Sequence, residues 1–295
     1  MSKHIRKHRW ILGLIILSLL VFTTVLAQKW VQKTQSNTDE DLNGVWVSAV
    51  KNTNDPMLPT LKIYTVGNGG TIIYSENGTD WTAQTSNTPN NLNAVWGSSA
   101  TNIFAVGDYG TILHSSNEGT TWTTRTSNTS NSLNAIWGSS TTDIFAVGNY
   151  GTIVHSINGT DWVVQTSSTA YNINGIWGSS ATDVFAVGDY GTILHTSNSG
   201  TAWTAQTSGT SYSLNAVWGI SSDNVYAVGD HGTVLHYNGT AWSGQSLGAS
   251  ITLNGIWGTS PCSIYAVGES GGAAVIYHYD GSSWTRQDDG SSDYT

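Results

Sequence analysis

Five histidines recur along the chain at nearly equal steps: His114, His155, His195, His236 and His278. Imidazole is a frequent metal ligand and proton carrier, so such a set invites a metal-site or general-base reading. The spacing argues against it. Each histidine ends the same kind of phrase, as in Gly110-Thr-Ile-Leu-His114 and Gly191-Thr-Ile-Leu-His195, and Tyr74 fills the slot in the first copy. Equivalent positions one repeat apart do not converge on one ion, so these residues read as packing positions. The closer pair His231 and His236 is too small a ligand set for a metal centre. The acids also recur by position, as Asp143, Asp183 and the offset Asp223. A glycosidase needs a unique pair of carboxylates across one cleft, whereas recurring acids read as turn residues. No catalytic residue, metal site or cofactor is expected.

Two other recurring sets suit binding. Asn43, Asn93, Asn134, Asn174, Asn215 and Asn254 open the first strand of each repeat. They are expected to circle the mouth of an axial channel, or to tie each strand to neighbouring backbone. The second set lies in a turn: Asp108-Tyr109, Asn149-Tyr150, Asp189-Tyr190 and Asp230-His231. Tyr171 and Tyr212, in the crossovers, are expected on the same face. Exposed aromatic rings beside acceptor groups suit a peptide or a sugar, and an acidic aromatic face suits a protein partner.

The elements that hold these sets follow from two tryptophan series. Trp46, Trp96, Trp137, Trp177, Trp218 and Trp257 stand in phrases such as Leu133-Asn-Ala-Ile-Trp137-Gly; Trp81, Trp122, Trp162, Trp203, Trp242 and Trp284 keep pace with them. A period of about 40 residues built from short strands marks a β-propeller blade. Within one repeat, Leu133 to Ser140, Asp143 to Gly148, Thr152 to Ser156 and Asp161 to Thr166 read as four strands. Asn149-Tyr150-Gly151 is a tight turn, and Asn158-Gly159 is a hairpin signal because both residues accept positive φ. The expected fold is all-β, with six four-stranded blades in one closed ring and no helix in the body; seven blades is the alternative. The repeats start near residues 42, 92, 133, 173, 214 and 253. The second tryptophan series is expected in the core. The segment from Gln28 to Ser36 resembles a seventh copy of the fourth strand. It either completes the last blade, where Ser283 to Gln287 competes, or adds as a fifth strand. Lys51 to Leu61, with Pro56 and Pro59, reads as a surface loop between the first two strands of blade 1.

Residues 1–27 read as a signal peptide or N-terminal membrane anchor, and residues 28–295 as a single propeller domain. A basic start, Lys3, Arg6, Lys7 and Arg9, precedes an apolar run from Ile11 to Ala27 that ends in small residues. Its 17 residues are at the low end for crossing a bilayer. Either reading places the body outside the cytoplasm: periplasmic, at the cell surface or secreted. Cys262 is the only cysteine, which excludes an internal disulfide. All 19 acids lie in the body, against six lysines and arginines there, which argues against a nucleic-acid partner.

The hairpin between the third and fourth strands carries a family resemblance. Ser115-Ser-Asn117-Glu-Gly119-Thr-Thr-Trp122 and Thr196-Ser-Asn198-Ser-Gly200-Thr-Ala-Trp203 resemble the Asp-box, with Asn in place of Asp. The phrase Ala-Val-Gly-Asp-Tyr-Gly-Thr-Ile-Leu-His resembles the repeats of photosystem II stability/assembly factor-type propellers. The resemblance covers about 85% of the chain and implies a propeller whose hairpins are held by a polar side chain accepting backbone N–H groups, with the tryptophan packed inward. Asp-boxes also occur in sialidases, whose arginine triad cannot be built from Arg125 and Arg286 alone. The expected function is therefore an exported, non-enzymatic scaffold for binding or assembling proteins. A multivalent carbohydrate-binding propeller comes second and a sialidase-type hydrolase third. The partner is a protein or glycan, with the membrane engaged only through an uncleaved N-terminal segment.

Overall fold

The computed structural model describes residues 40–50 and 60–287. The segment expected as a signal or anchor, residues 28–36 expected as a further fourth strand, and residues 51–59 of the expected loop lie outside the described residues; Thr60 and Leu61, expected in that loop, instead begin the second strand of blade 1, where they pair with Val50 and Ala49. Six four-stranded antiparallel sheets follow one another, each ordered first to fourth strand, and form a six-bladed β-propeller. Blade 3 comprises Leu133–Gly138, Ile144–Gly148, Ile153–Ser156 and Val163–Gln165. The other blades begin at residues 42, 92, 173, 214 and 251. The first strands of successive blades pack on one another from blade 1 through blade 6. Among the described residues there is no α-helix; the turn between the second and third strands is a three-residue 3-10 segment in blades 1 to 5.

Each blade is buried on both faces, and this explains the unbroken apolar runs in its second strand. In blade 2, Ile103, Phe104, Ala105 and Val106 all have no exposure. Side chains alternate across a strand. Ile103, Ala105 and Leu113 therefore meet Tyr64, Val66 and Ile72 of blade 1. Phe104, Val106 and Ile112 turn the other way, onto Leu133, Ile144, Ala146 and Trp162 of blade 3. Each fully buried side chain of this size contributes about 1.5–3 kcal/mol.

The first-strand tryptophans lock neighbours together. Trp46, Trp96, Trp137, Trp177 and Trp218 each lie over a glycine of the next blade: Gly97, Gly138, Gly178, Gly219 and Gly258. A Cβ at those glycines would come within 2.5–2.8 Å of the indole. The asparagine series adds a polar tie. Asn43, Asn93, Asn134, Asn174 and Asn215 each donate an amide hydrogen to a backbone carbonyl at the start of the next blade, at 2.9–3.1 Å.

The second tryptophan series divides. Trp122, Trp162 and Trp203 are buried, whereas Trp81, Trp242 and Trp284 are half-buried. Trp122, Trp203 and Trp242 donate their indole N–H to Gln84, Gln165 and Gln206 on the fourth strand, or just past it, in the preceding blade. Arg125 stands in the equivalent place before Trp162, and both Trp162 Nε1 and Arg125 Nε are buried without a partner. Gln165 does two jobs, accepting from Trp203 and lying with its amide nitrogen 3.1 Å from His155 Nδ1. Arg125 does only the second, with Nη2 2.8 Å from His114 Nδ1. The expected result of Arg125→Gln is stabilisation by about 1–2 kcal/mol, since unmade buried hydrogen bonds cost about that much. A melting temperature about 3 °C higher is the readout; an unchanged or lower value refutes the assignment.

The hairpin motif works with asparagine. Ser115 Oγ accepts the Gly119 N–H, and Asn117 Oδ1 accepts the Thr121 N–H. Thr196 and Asn198 repeat this at Gly200 and Ala202. Asn and Asp side chains hold such turns because their oxygen replaces a backbone acceptor.

Candidate functional site: the aromatic turn face

The repeating histidines are packing groups. His114, His155 and His195 stack on Phe104, Phe145 and Phe185, and His236 stacks on Tyr226, with centroids 3.8–4.4 Å apart. Their other ring nitrogen meets Asn102, Asp143, Asp183 or Asn224. Burial, and then the nearby Arg125 charge, pushes His114 down to about 4; burial lowers His236 as well. Among the described residues no three His, Cys, Asp or Glu side chains gather as a metal site.

The turn between the second and third strands has a different character. In blade 2 the Asp108 carbonyl accepts the Thr111 N–H at 3.1 Å and the Thr111 hydroxyl at 2.6 Å. Closing this turn puts Tyr109 at φ 56° and Gly110 at φ 68°. Gly110 has no alternative, because a Cβ there would lie 2.1 Å from the Thr129 carbonyl of the next crossover. Tyr109 has ample space. Its side chain is 75% exposed, and Tyr150 and Tyr190, at the same φ, are 72% and 68% exposed. His231 completes the set at φ 56° and is exposed. Blade 1 makes the same turn with Gly69 at φ 61°.

The eight turn residues expected from sequence thus split into two groups. Asp108, Asn149, Asp189 and Asp230 point into the fold and accept amide hydrogens from Asn93, Asn134, Asn174 and Asn215 at 2.9–3.2 Å. Tyr109, Tyr150, Tyr190 and His231 point out. The same bonds join the two expected rings. The first-strand asparagines and the turns lie on one face, and Asn43, Asn93, Asn134, Asn174 and Asn215 each use the amide group twice, once for the turn of their own blade and once for the next blade. Asn254 makes neither bond and is exposed. Sequence reasoning did not single out two crossover residues that strengthen this face. Asn91 joins the Gly69 N–H to Asp108, and Asn172 joins the Tyr150 N–H to Asp189. Their signal is an Asn immediately before the first apolar residue of the blade.

The crossovers do open on this face. Tyr171 lies 4.8 Å from Tyr190, and Tyr212 stacks on His231 at 4.0 Å. Beside Tyr150 a cleft of about 520 Å³ runs between Asn128, Asn131, Gln165 and Ala170. One blade earlier, beside Tyr109, a cleft of about 450 Å³ is lined by Asn87, Asn90, Arg125 and Asn128. The result is an arc of aromatic side chains over repeated polar clefts, a surface able to stack on flat or apolar groups and hydrogen-bond beside them.

No family model and no curated protein matches the sequence. Solved structures do. YCF48 bound to D1 peptide matches with a TM-score of 0.61 and 17% identity, over 83% of this chain and 84% of that one. YCF48 from Cyanidioschyzon merolae matches with a TM-score of 0.67 and 14% identity, over 87% of each chain. The fold is YCF48-like. An ancestral GH74 enzyme also matches, with a TM-score of 0.55 and 18% identity, over 66% of this chain and 31% of that one. The YCF48-like propeller agrees with the fold expected from the repeats.

Proposed function

We propose that the protein is an exported, non-enzymatic β-propeller that binds a protein partner through the aromatic turn face. One observation carries the reading. Three tyrosines and a histidine occupy left-handed backbone positions at which blade 1 uses glycine. A side chain in that conformation costs roughly 1–2 kcal/mol, and residues exposed by 68–75% recover little of it through packing. Strain kept at an exposed site points to function. The carboxylates beside these side chains are engaged: Asp108, Asp189 and Asp230 each accept from an asparagine amide. That favours a binding surface over a hydrolytic cleft. The YCF48 structure bound to a peptide supports a protein partner for this fold, and the acidic body favours a partner with basic or neutral character.

Tyr109→Gly, Tyr150→Gly and Tyr190→Gly combined test this, because Gly69 already makes the turn. The triple variant is expected to melt at or above the temperature of the natural protein, since glycine takes the left-handed conformation without the steric cost that tyrosine meets. Its partner, recovered by pull-down with the natural body, should bind at least tenfold more weakly. Retention of natural affinity moves the contact surface to the opposite, hairpin face. Binding to arrayed glycans, lost in the same variant, instead supports the lectin reading. For export, the mature chain is expected to start at Gln28 on N-terminal sequencing; intact Met1 chains in membranes favour an anchor.

A further inference from the structure

Four crossovers on the aromatic face share one backbone. In each, a serine precedes a residue at left-handed φ: Asn87, Asn128, Ser168 or Gly209, at 60–73°. The serine hydroxyl donates to the threonine carbonyl two residues on. That threonine's Oγ1 then accepts the N–H of Asn90, Asn131, Tyr171 or Tyr212. Identical backbone bonds place these four side chains alike, beside the turn aromatic of the blade that follows.

In blades 4 and 5 the chain fills that place itself. Tyr171 leans on Tyr190 with the ring planes 43° apart, and Tyr212 lies on His231 at 21°. In blades 2 and 3 the place holds Asn90 and Asn131, and the two clefts open there, one beside Tyr109 and one beside Tyr150. The clefts adjoin, since Asn128 and Thr129 line both. The asparagines also set their polarity. The Thr111 and Thr152 hydroxyls donate to the Asp108 and Asn149 carbonyls, so their oxygens accept from the Asn90 and Asn131 amide nitrogens, at 2.9 and 2.8 Å. Each asparagine Oδ1 is thereby left in the cleft lining as an unused acceptor among the described residues. No carboxylate lines either cleft, and Arg125 lines the one beside Tyr109, which disfavours a cationic occupant.

We propose that each cleft takes one tyrosine or tryptophan side chain of the protein partner. Its ring lies on Tyr109 or Tyr150 as Tyr212 lies on His231, and its O–H or N–H donates to Asn90 or Asn131. The proposal rests on the aromatic turn face being the contact surface, and adds what that surface recognises. A ring with a donor at its edge meets both the flat wall and the acceptor; an aliphatic side chain meets neither. Because the clefts adjoin, a partner carrying two such side chains gains by avidity.

Saturation-transfer NMR with N-acetyl-tryptophanamide tests this. Transfer from the protein to the indole protons should exceed that to N-acetyl-leucinamide, N-acetyl-argininamide and methyl glucoside by about threefold or more. Asn90→Tyr with Asn131→Tyr should fill both clefts from within, as Tyr171 and Tyr212 do in their blades, and at least halve the transfer with every turn tyrosine still in place. The converse pair, Tyr171→Asn with Tyr212→Asn, should open further clefts and raise it. Equal transfer in the natural and filled proteins overturns the proposal, and so does stronger transfer to the sugar or the arginine amide. Should the filled variant fail to fold, the converse pair decides, and unchanged transfer there overturns it. The partner recovered by pull-down separates the two readings. Natural affinity in the filled variant, with loss in the glycine variant of the three turn tyrosines, refutes the clefts and leaves the face; natural affinity in both refutes the face itself.

Discussion

Trp162→Ala is expected to lower the unfolding free energy by about 3–5 kcal/mol, the range for truncating a large buried aromatic. The indole is 1% exposed and stands edge-on to Phe104 at 6.2 Å, inside the core that joins blades 2 and 3. Alanine would leave a cavity between two sheets whose backbones are held by their own hydrogen bonds, so collapse into it is limited. The hairpin loses little in polar terms, because the indole N–H has no acceptor to begin with. Urea unfolding monitored by far-ultraviolet circular dichroism measures the change. A loss below about 1 kcal/mol is incompatible with the core position.

Gly188→Ala is expected to destabilise by about 3 kcal/mol or more, at the upper end for overpacking. Gly188 has φ −165°, extended backbone open to any residue, so its requirement is space. A Cβ there would lie 2.0 Å from the Asn172 carbonyl oxygen, which already accepts the Asp189 N–H. Backbone atoms cannot move aside as a flexible side chain can. Gly67, Gly107, Gly148, Gly229 and Gly268 are in the same situation in the other blades, at 1.9–2.1 Å. Gly209→Ala is the contrasting control. Its φ is 73° and nothing lies within 4 Å of an added Cβ, so only the backbone preference opposes it, at about 1 kcal/mol. Equal effects of the two substitutions on the urea midpoint would falsify the steric account.

Much of this was legible in the residues alone. Asn158-Gly159 and its equivalents announced the hairpins, the runs like Ile-Phe-Ala-Val announced strands covered on both faces, and His114 to His278 read correctly as packing groups. Arg125 and Arg286 do sit in fourth strands, as expected. The proposed binding face was partly legible: the turns and the crossover tyrosines were placed together, and the structure brings Tyr171 onto Tyr190 and Tyr212 onto His231. The asparagine ring was left between two readings, and the bonds to the next blade resolve five of its six members as ties.

A repeat of 40 residues determines by itself what every position does within a blade, because strand pairing there joins residues close in sequence and turn chemistry is local. It therefore specified an all-β propeller, four strands to a blade, with aromatic turns. Contacts between blades join residues about 40 apart, and they depend on how twisted sheets approach. Only the tertiary structure could show that Asp108 and Tyr109, adjacent in sequence, face opposite ways, one into the fold and one into solvent. The same is true of Arg125, an ordinary polar residue of its strand, which leaves the Trp162 indole of the next blade without an acceptor.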